Sequence, residues 1–233
     1  MEKNENTRKS TRDFIIVHLI FTGLCCAVLI IPIPIAIGIK LFILVVSYNL
    51  LIPLVGLYRK YNEWVKLWVF VFSISLFQIL PDWFLSAQLN VLVFPEDGLF
   101  KIGTVSGYMA GLWAIPLFLL SYIGLKLKEN YSLSKSLIVV GLLSFGIFVF
   151  AEQTMWMLQS WYPQNVTLIF EHLAIYIILP EVILGLSTFY YFEKIKTQHI
   201  LISIVVAFCI MLLYLGCAAF FYSLFEKIIF VFF

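Results

Sequence analysis

Charge is what this sequence has least of. Asp, Glu, Lys and Arg make up 12% of its 233 residues, where a soluble domain carries about 25%. At 63% hydrophobic, a water-soluble fold of this size has too much surface for its volume to hide the apolar part. The net charge of +2 comes without a basic run or basic-aromatic interleaving, which excludes a nucleic-acid surface. Cysteine is scarce too. Cys25, Cys26, Cys209 and Cys217 form no Cys-x-x-Cys pair and have no histidine at zinc spacing, so no metal centre is expected; they read as small buried apolar residues. No cleavable leader is expected, because a charged segment is followed by an apolar run without an Ala-x-Ala exit. No polar stretch is long enough for a soluble catalytic or ligand-binding domain.

What is present is apolar length. A spanning helix needs about 20 mostly apolar residues, and seven stretches qualify: Phe14–Ile31, Leu41–Leu57, Val65–Leu85, Val105–Leu125, Leu137–Met155, Leu168–Phe189 and Ile200–Tyr222. Pro32 and Pro34 break the first pair, and Pro95-Glu96-Asp97-Gly98 makes a polar turn after the third. Twelve of the fifteen Lys and Arg fall on the N-terminal tail and the even-numbered loops, leaving Lys40, Lys101 and Lys227 opposite. Cytoplasmic loops carry the Lys/Arg excess. The expected fold is therefore an all-α, seven-transmembrane-helix bundle, N-terminus cytoplasmic and C-terminus outside. A cytoplasmic tail covers 1–13, the transmembrane domain 14–222, and a tail at the outer interface 223–233. The expected location is a multi-pass position in a bacterial inner membrane or its equivalent. Trp64, Trp68, Trp83, Trp156 and Trp161 read as an aromatic belt at the interfaces.

Ionisable groups inside a span are costly and mark function by default. The spans hold Asp82, Glu152, Glu171 and Glu181, with His172 and Asn49, and no Lys or Arg at depth. Counting about 1.5 Å per residue puts Asp82, Glu152 and Glu171 in one layer near the outer face, with Glu181 and Asn49 nearer the middle. Ser75, Gln78 and Asp82 recur at helical spacing and share a face, and Glu152 shares one with Trp156. His172 and Glu181 fall on opposite sides of their helix. The segments Ile79-Leu80-Pro81-Asp82 and Ile178-Leu179-Pro180-Glu181 echo each other. Each sets an acid directly after a helix-breaking proline, in spans running in opposite directions, as in an inverted repeat.

The stretches Pro81-Asp82-Trp83-Phe84-Leu85, Phe94-Pro95-Glu96-Asp97-Gly98 and Tyr108-Met109-Ala110-Gly111-Leu112-Trp113-Ala114-Ile115-Pro116 resemble a bacterial and algal family of small polytopic proteins with no assigned function. In size, span number and membrane acids the chain is also similar to the integral membrane terpene cyclases and carotenoid-type lycopene cyclases. That likeness is one of architecture. The fungal terpene cyclases resemble one another around acids in the second and last spans, where this chain has Asn49 and no acid, so no catalytic residue carries over.

Two functions follow as expectations. One is an enzyme acting on an isoprenoid or other membrane lipid by proton transfer. Asp82 or Glu181 would be the acid and Glu152 and Glu171 its partners, with Asn49, Gln78, Trp83, Trp113, Trp156 and His172 around the substrate and Tyr108, Tyr176 and Tyr214 beside the same layer. A protonated carboxyl can donate to an alkene or epoxide, and aromatic faces steady the resulting cation. The other is a small proton-coupled carrier. Neither needs a metal, a cofactor or a soluble partner. A retinal protein is excluded, because the seventh span has no lysine for a Schiff base.

Overall fold

The computed structural model describes residues 2–229, with side chains from Arg8 onward. Seven helices are long and apolar enough to cross a membrane: Arg8–Ile30, Ile37–Tyr58, Asn62–Gln88, Met109–Lys128, Leu133–Leu158, Ile175–Ile195 and Ile200–Ile229. Every expected stretch overlaps one, but two begin late. The fourth starts at Met109 rather than Val105, and the sixth at Ile175 rather than Leu168. The residues in front are apolar enough to read as helix, yet they form short strands.

In chain order the elements are α1 Glu2–Ile30, α2 Ile37–Tyr58, α3 Asn62–Phe77 and α4 Ile79–Trp83, the last running into a π-helical turn, Phe84–Gln88. Strands β1 Leu92–Val93, β2 Lys101–Ile102 and β3 Val105–Ser106 precede α5 Met109–Leu112, α6 Ala114–Lys128 and α7 Leu133–Thr154. A 3-10 turn at Met155–Leu158 leads to β4 Tyr162–Pro163, β5 Leu168–Ile169 and β6 Leu173–Ala174, then α8 Ile175–Ile195 and α9 Ile200–Tyr222. The segment expected as an N-terminal tail continues the first helix from Glu2. The expected C-terminal tail, 223–233, begins as a helical extension over Ser223–Ile229, and 230–233 lie outside the described residues.

Helix α8 is central, packing on α6, α7 and α9. Close approach depends on missing side chains: a Cβ at Gly185 of α8 would collide with Ser144 of α7, and one at Gly111 would meet Val45 and Asn49 of α2. Leu19, Ile20, Leu142 and Phe150 point away from the core. Cys26 and Cys209 are exposed on this outer wall, and Cys25 and Cys217 are half-buried. None belongs to the buried interior expected of them.

The two ends of the bundle are built differently. At the N-terminal end, Asp13 pairs with Arg59 at 2.9 Å and accepts from the Tyr61 hydroxyl at 3.0 Å. Ser10 Oγ accepts from Trp64 Nε1 at 3.0 Å and lies 2.8 Å from the Tyr122 hydroxyl. Trp64 is thus a buried clamp for α1, 1% exposed, and not a belt residue. Lys126 and Lys196 approach Glu63, and Lys128 and Lys196 pair with Glu193.

At the opposite end the connections form a cap of three two-stranded sheets, β1 with β4, β2 with β3 and β5 with β6, all antiparallel. Phe94-Pro95-Glu96-Asp97-Gly98 is its keystone. Asp97 accepts from Ser106 Oγ at 2.6 Å and Leu99 N at 2.9 Å, and Lys101 Nζ lies 3.7 Å away. Lys101 also donates to Ser106 Oγ at 2.8 Å and to the Phe94 carbonyl at 3.2 Å. The Asp97 carbonyl accepts from Gly38 N at 2.8 Å, tying the cap to the start of α2. Gly98 holds a left-handed φ of 79° where a Cβ would strike Ala36.

Candidate functional site

Beneath the cap, three carboxyl groups from three spans meet at one cavity. Each arrives by a local irregularity. The third span breaks between α3 and α4 at Gln78 and turns π-helical from Phe84, so Asp82 sits on a short stretch flanked by two departures from α-helix. Such departures recur at functional sites. Pro81 contributes no N–H to the ladder there. Glu152 lies in the last turn of α7, just before the chain tightens into the 3-10 turn. Glu181 follows Pro180 inside α8. Asp82 and Glu181 are each 2% exposed and Glu152 9%.

The acids line a cavity of about 20 Å³ with Trp113, Trp161, Tyr176 and Tyr214, enough space for roughly one water molecule. Leu92, Phe94, Pro163 and Ala174 roof it from the cap. Trp113 Nε1 donates to Asp82 Oδ2 at 3.2 Å, and Trp161 Nε1 to Glu152 Oε1 at 2.8 Å. Glu181 Oε2 is buried with no hydrogen-bond partner. A carboxylate has about four lone-pair sites, so one indole donor leaves Asp82 and Glu152 under-satisfied. No Lys or Arg lines the cavity. Among the described residues no group of three His, Cys, Asp or Glu side chains could hold a metal ion, so the acids surround the space without clasping a common point. The arrangement suits groups that hold a proton and exchange it across a small gap lined by aromatic faces.

A second space adjoins the first. An apolar groove of about 270 Å³ runs between α6 and α7, and Met109, Trp113, Glu152, Trp161 and Glu181 border both.

The other expected site residues are placed elsewhere. Glu171 is exposed on the β5–β6 turn with φ of 71°. It is not in the layer of acids, because the chain from Leu168 folds as a hairpin and the helical rise does not begin until Ile175. His172 stacks on Trp156 at 4.2 Å between centroids. Trp156, expected on the face of Glu152, is 38% exposed because the 3-10 turn swings it outward, and its Nε1 donates to the Gln153 carbonyl. Trp83 is 36% exposed, with its indole packed on Gly103. Gln78 is fully buried with neither side-chain polar atom partnered, one turn before Asp82 and outside the cavity lining. Asn49 bridges helices, donating to the Val45 and Gly111 carbonyls and accepting from Trp68 Nε1.

Trp161 is the site residue that sequence reasoning assigned to the belt. It follows Glu152 by nine positions across a turn, and no helical periodicity relates the two. The β1–β4 pairing next to it, Val93 with Tyr162, fixes its strand against the cavity. Tyr176 and Tyr214, by contrast, were legible as aromatics at the depth of the acids.

No curated protein and no solved structure matches this chain. A family model matches residues 79–225, a segment that holds every residue lining the cavity and the groove and leaves out α1, α2 and α3. By this match over more than half its length, the chain belongs to the family described as Domain of unknown function (DUF6989).

Proposed function

We propose that this protein is a multi-pass membrane enzyme that moves a proton onto and off an apolar lipid, an isoprenoid alkene being the class its site suits. The observation that carries the reading is the meeting of Asp82, Glu152 and Glu181 at one cavity that no cation lines. Three carboxylates there would repel one another, so the site holds at least one proton. In the reaction, Asp82 or Glu181 gives its proton to an alkene carbon, forming a C–H bond and leaving a carbocation. A neighbouring carboxylate removes a proton from the adjacent carbon and restores the double bond. The proton then returns between the carboxyls through the small cavity, so each turnover balances. The faces of Trp113, Trp161, Tyr176 and Tyr214 stabilise the cation through their quadrupoles and offer no nucleophile to trap it.

The chemistry is the one expected from the resemblance in size, span number and membrane acids to integral membrane terpene cyclases and carotenoid-type lycopene cyclases, with no catalytic residue carried over from them. The orientation that suits it has the N-terminus in the cytoplasm. The bundle end that starts α1 also gathers Arg59, Lys126, Lys128 and Lys196, as the positive-inside rule requires.

A second reading, a proton-coupled carrier, is favoured by Ser75, Gln78 and Ser144, whose buried polar atoms lack partners on the N-terminal side of the acids. Lipid extraction from cells carrying the wild-type chain or Asp82→Asn separates the two. The enzyme reading expects an isoprenoid product to disappear and its precursor to accumulate. An unchanged lipid profile, with proton uptake into proteoliposomes that Asp82→Asn abolishes, establishes the carrier instead.

A further inference from the structure

We propose that the groove between α6 and α7 is the substrate's entrance from the lipid and the seat of its chain, and that the substrate is uncharged at its reacting end. The proposal rests on the enzyme reading above and adds the route and the class of molecule.

Three observations carry it. The groove adjoins the acid cavity, and five residues border both. Pro116 and Leu119 on one wall and Ile147, Phe148, Ala151 and Met155 on the other lead inward to Trp113, Glu152, Trp161 and Glu181, which border both spaces. It opens on the side of the bundle, where Ala151, Leu119 and Pro116 are half-buried, while the end of the cavity is roofed by Leu92, Phe94 and Pro163 of the cap. A molecule in the membrane therefore reaches the acids sideways without passing through water. Its volume of about 270 Å³, against about 20 Å³ for the acid cavity, gives room for a length of one hydrocarbon chain.

The same lining decides the head of the substrate. Neither space is lined by Lys or Arg, and the cavity is ringed by three carboxyls, one with a buried unpartnered oxygen. A phosphate or diphosphate ester would meet acids and no donor cation. A neutral alkene, epoxide or alcohol meets a proton donor and aromatic faces.

The test is photocrosslinking of the full-length protein in lipid nanodiscs with two diazirine probes of farnesyl type, one a neutral alcohol and one a diphosphate, mapped by peptide mass spectrometry. The neutral probe is expected to label 109–128 and 147–161. Labelling should fall about tenfold, equivalent to about 1.4 kcal/mol, when Ala151→Trp or, independently, Leu119→Trp fills the groove. Val46→Trp, in a separate groove beside Asn49, should leave it unchanged. The diphosphate probe should label these segments far less.

Equal labelling by the diphosphate overturns the neutral head. Label spread evenly over α1 and α9, or indifferent to both filling substitutions, overturns the entrance. The Asp82→Asn protein separates this idea from the one beneath it. Groove labelling with a lipid profile that ignores Asp82→Asn sinks the enzyme reading and leaves the groove standing. Product lost in Asp82→Asn with labelling elsewhere does the reverse.

Discussion

Two buried acid sites lie at the same end of this bundle, and the protein treats them in opposite ways. Asp97, 3% exposed, has a hydroxyl, a backbone N–H and an ammonium around it, and the ammonium is itself held by a neighbouring carbonyl and Ser106. Asp82 and Glu152 each have one indole donor, and Glu181 Oε2 has none. A buried charge is tolerable when paired and hydrogen-bonded and expensive otherwise. Asp97 is therefore explained by what it holds in place, the loop that ties the cap to α2. The acid trio holds nothing comparable in place. Its cost persists without structural return, which is the pattern of a site kept for chemistry.

The largest effect expected from this contrast is on activity. Asp82→Asn and Glu181→Gln should lower product formation about 10²–10⁴-fold, the usual weight of general acid–base catalysis, measured as lipid product per unit of folded protein. Their melting temperatures in detergent should stay the same or rise, since an ionisable group is replaced by a neutral isostere. A melting temperature that collapses in both would make the trio structural and erase the contrast.

Next in size, Lys101→Met should destabilise the fold by about 3–5 kcal/mol, because it strands a buried carboxylate. Thermal unfolding of the detergent-solubilised protein measures this. A loss no larger than that of Asp82→Asn contradicts the account of the cap. Smaller again, Trp161→Phe removes the donor to Glu152 and should cost about 1–3 kcal/mol if that acceptor stays dry, together with a shift in the pH profile of product formation. An unmoved profile means the indole only packs. Glu171→Gln, on its exposed turn, should change stability by less than about 0.5 kcal/mol and leave product formation alone. A strong loss there would restore Glu171 to the site.

Much of this was legible before any coordinates. Seven helices long and apolar enough to cross a membrane are readable because such helices need long apolar runs and the chain has little else. Asp82, Glu152 and Glu181 stand out because acids within such runs are rare. What misled was the assumption that an apolar run is helix throughout. Leu168–Ala174 is apolar apart from Glu171 and His172, yet it pairs as a hairpin. That late start carried Glu171 out of the layer and left Glu181, counted as too deep, level with the other acids. Trp156 and Trp161 were misjudged for a related reason. After Glu152 the chain leaves α-helical geometry, so periodicity no longer says which indole returns to the carboxylate.

Composition and hydropathy by themselves determined that the chain is a seven-helix bundle with acids in its spans. These are properties of single segments, decided by the length of an apolar run and by the cost of a charge within it. Tertiary structure alone decided which acids meet, which indoles serve them, and that Asp97 is satisfied while Glu181 is not. Each of these depends on pairings between segments far apart in the chain, where the rotation of a helix, a proline break or a two-residue strand sets the direction of a side chain.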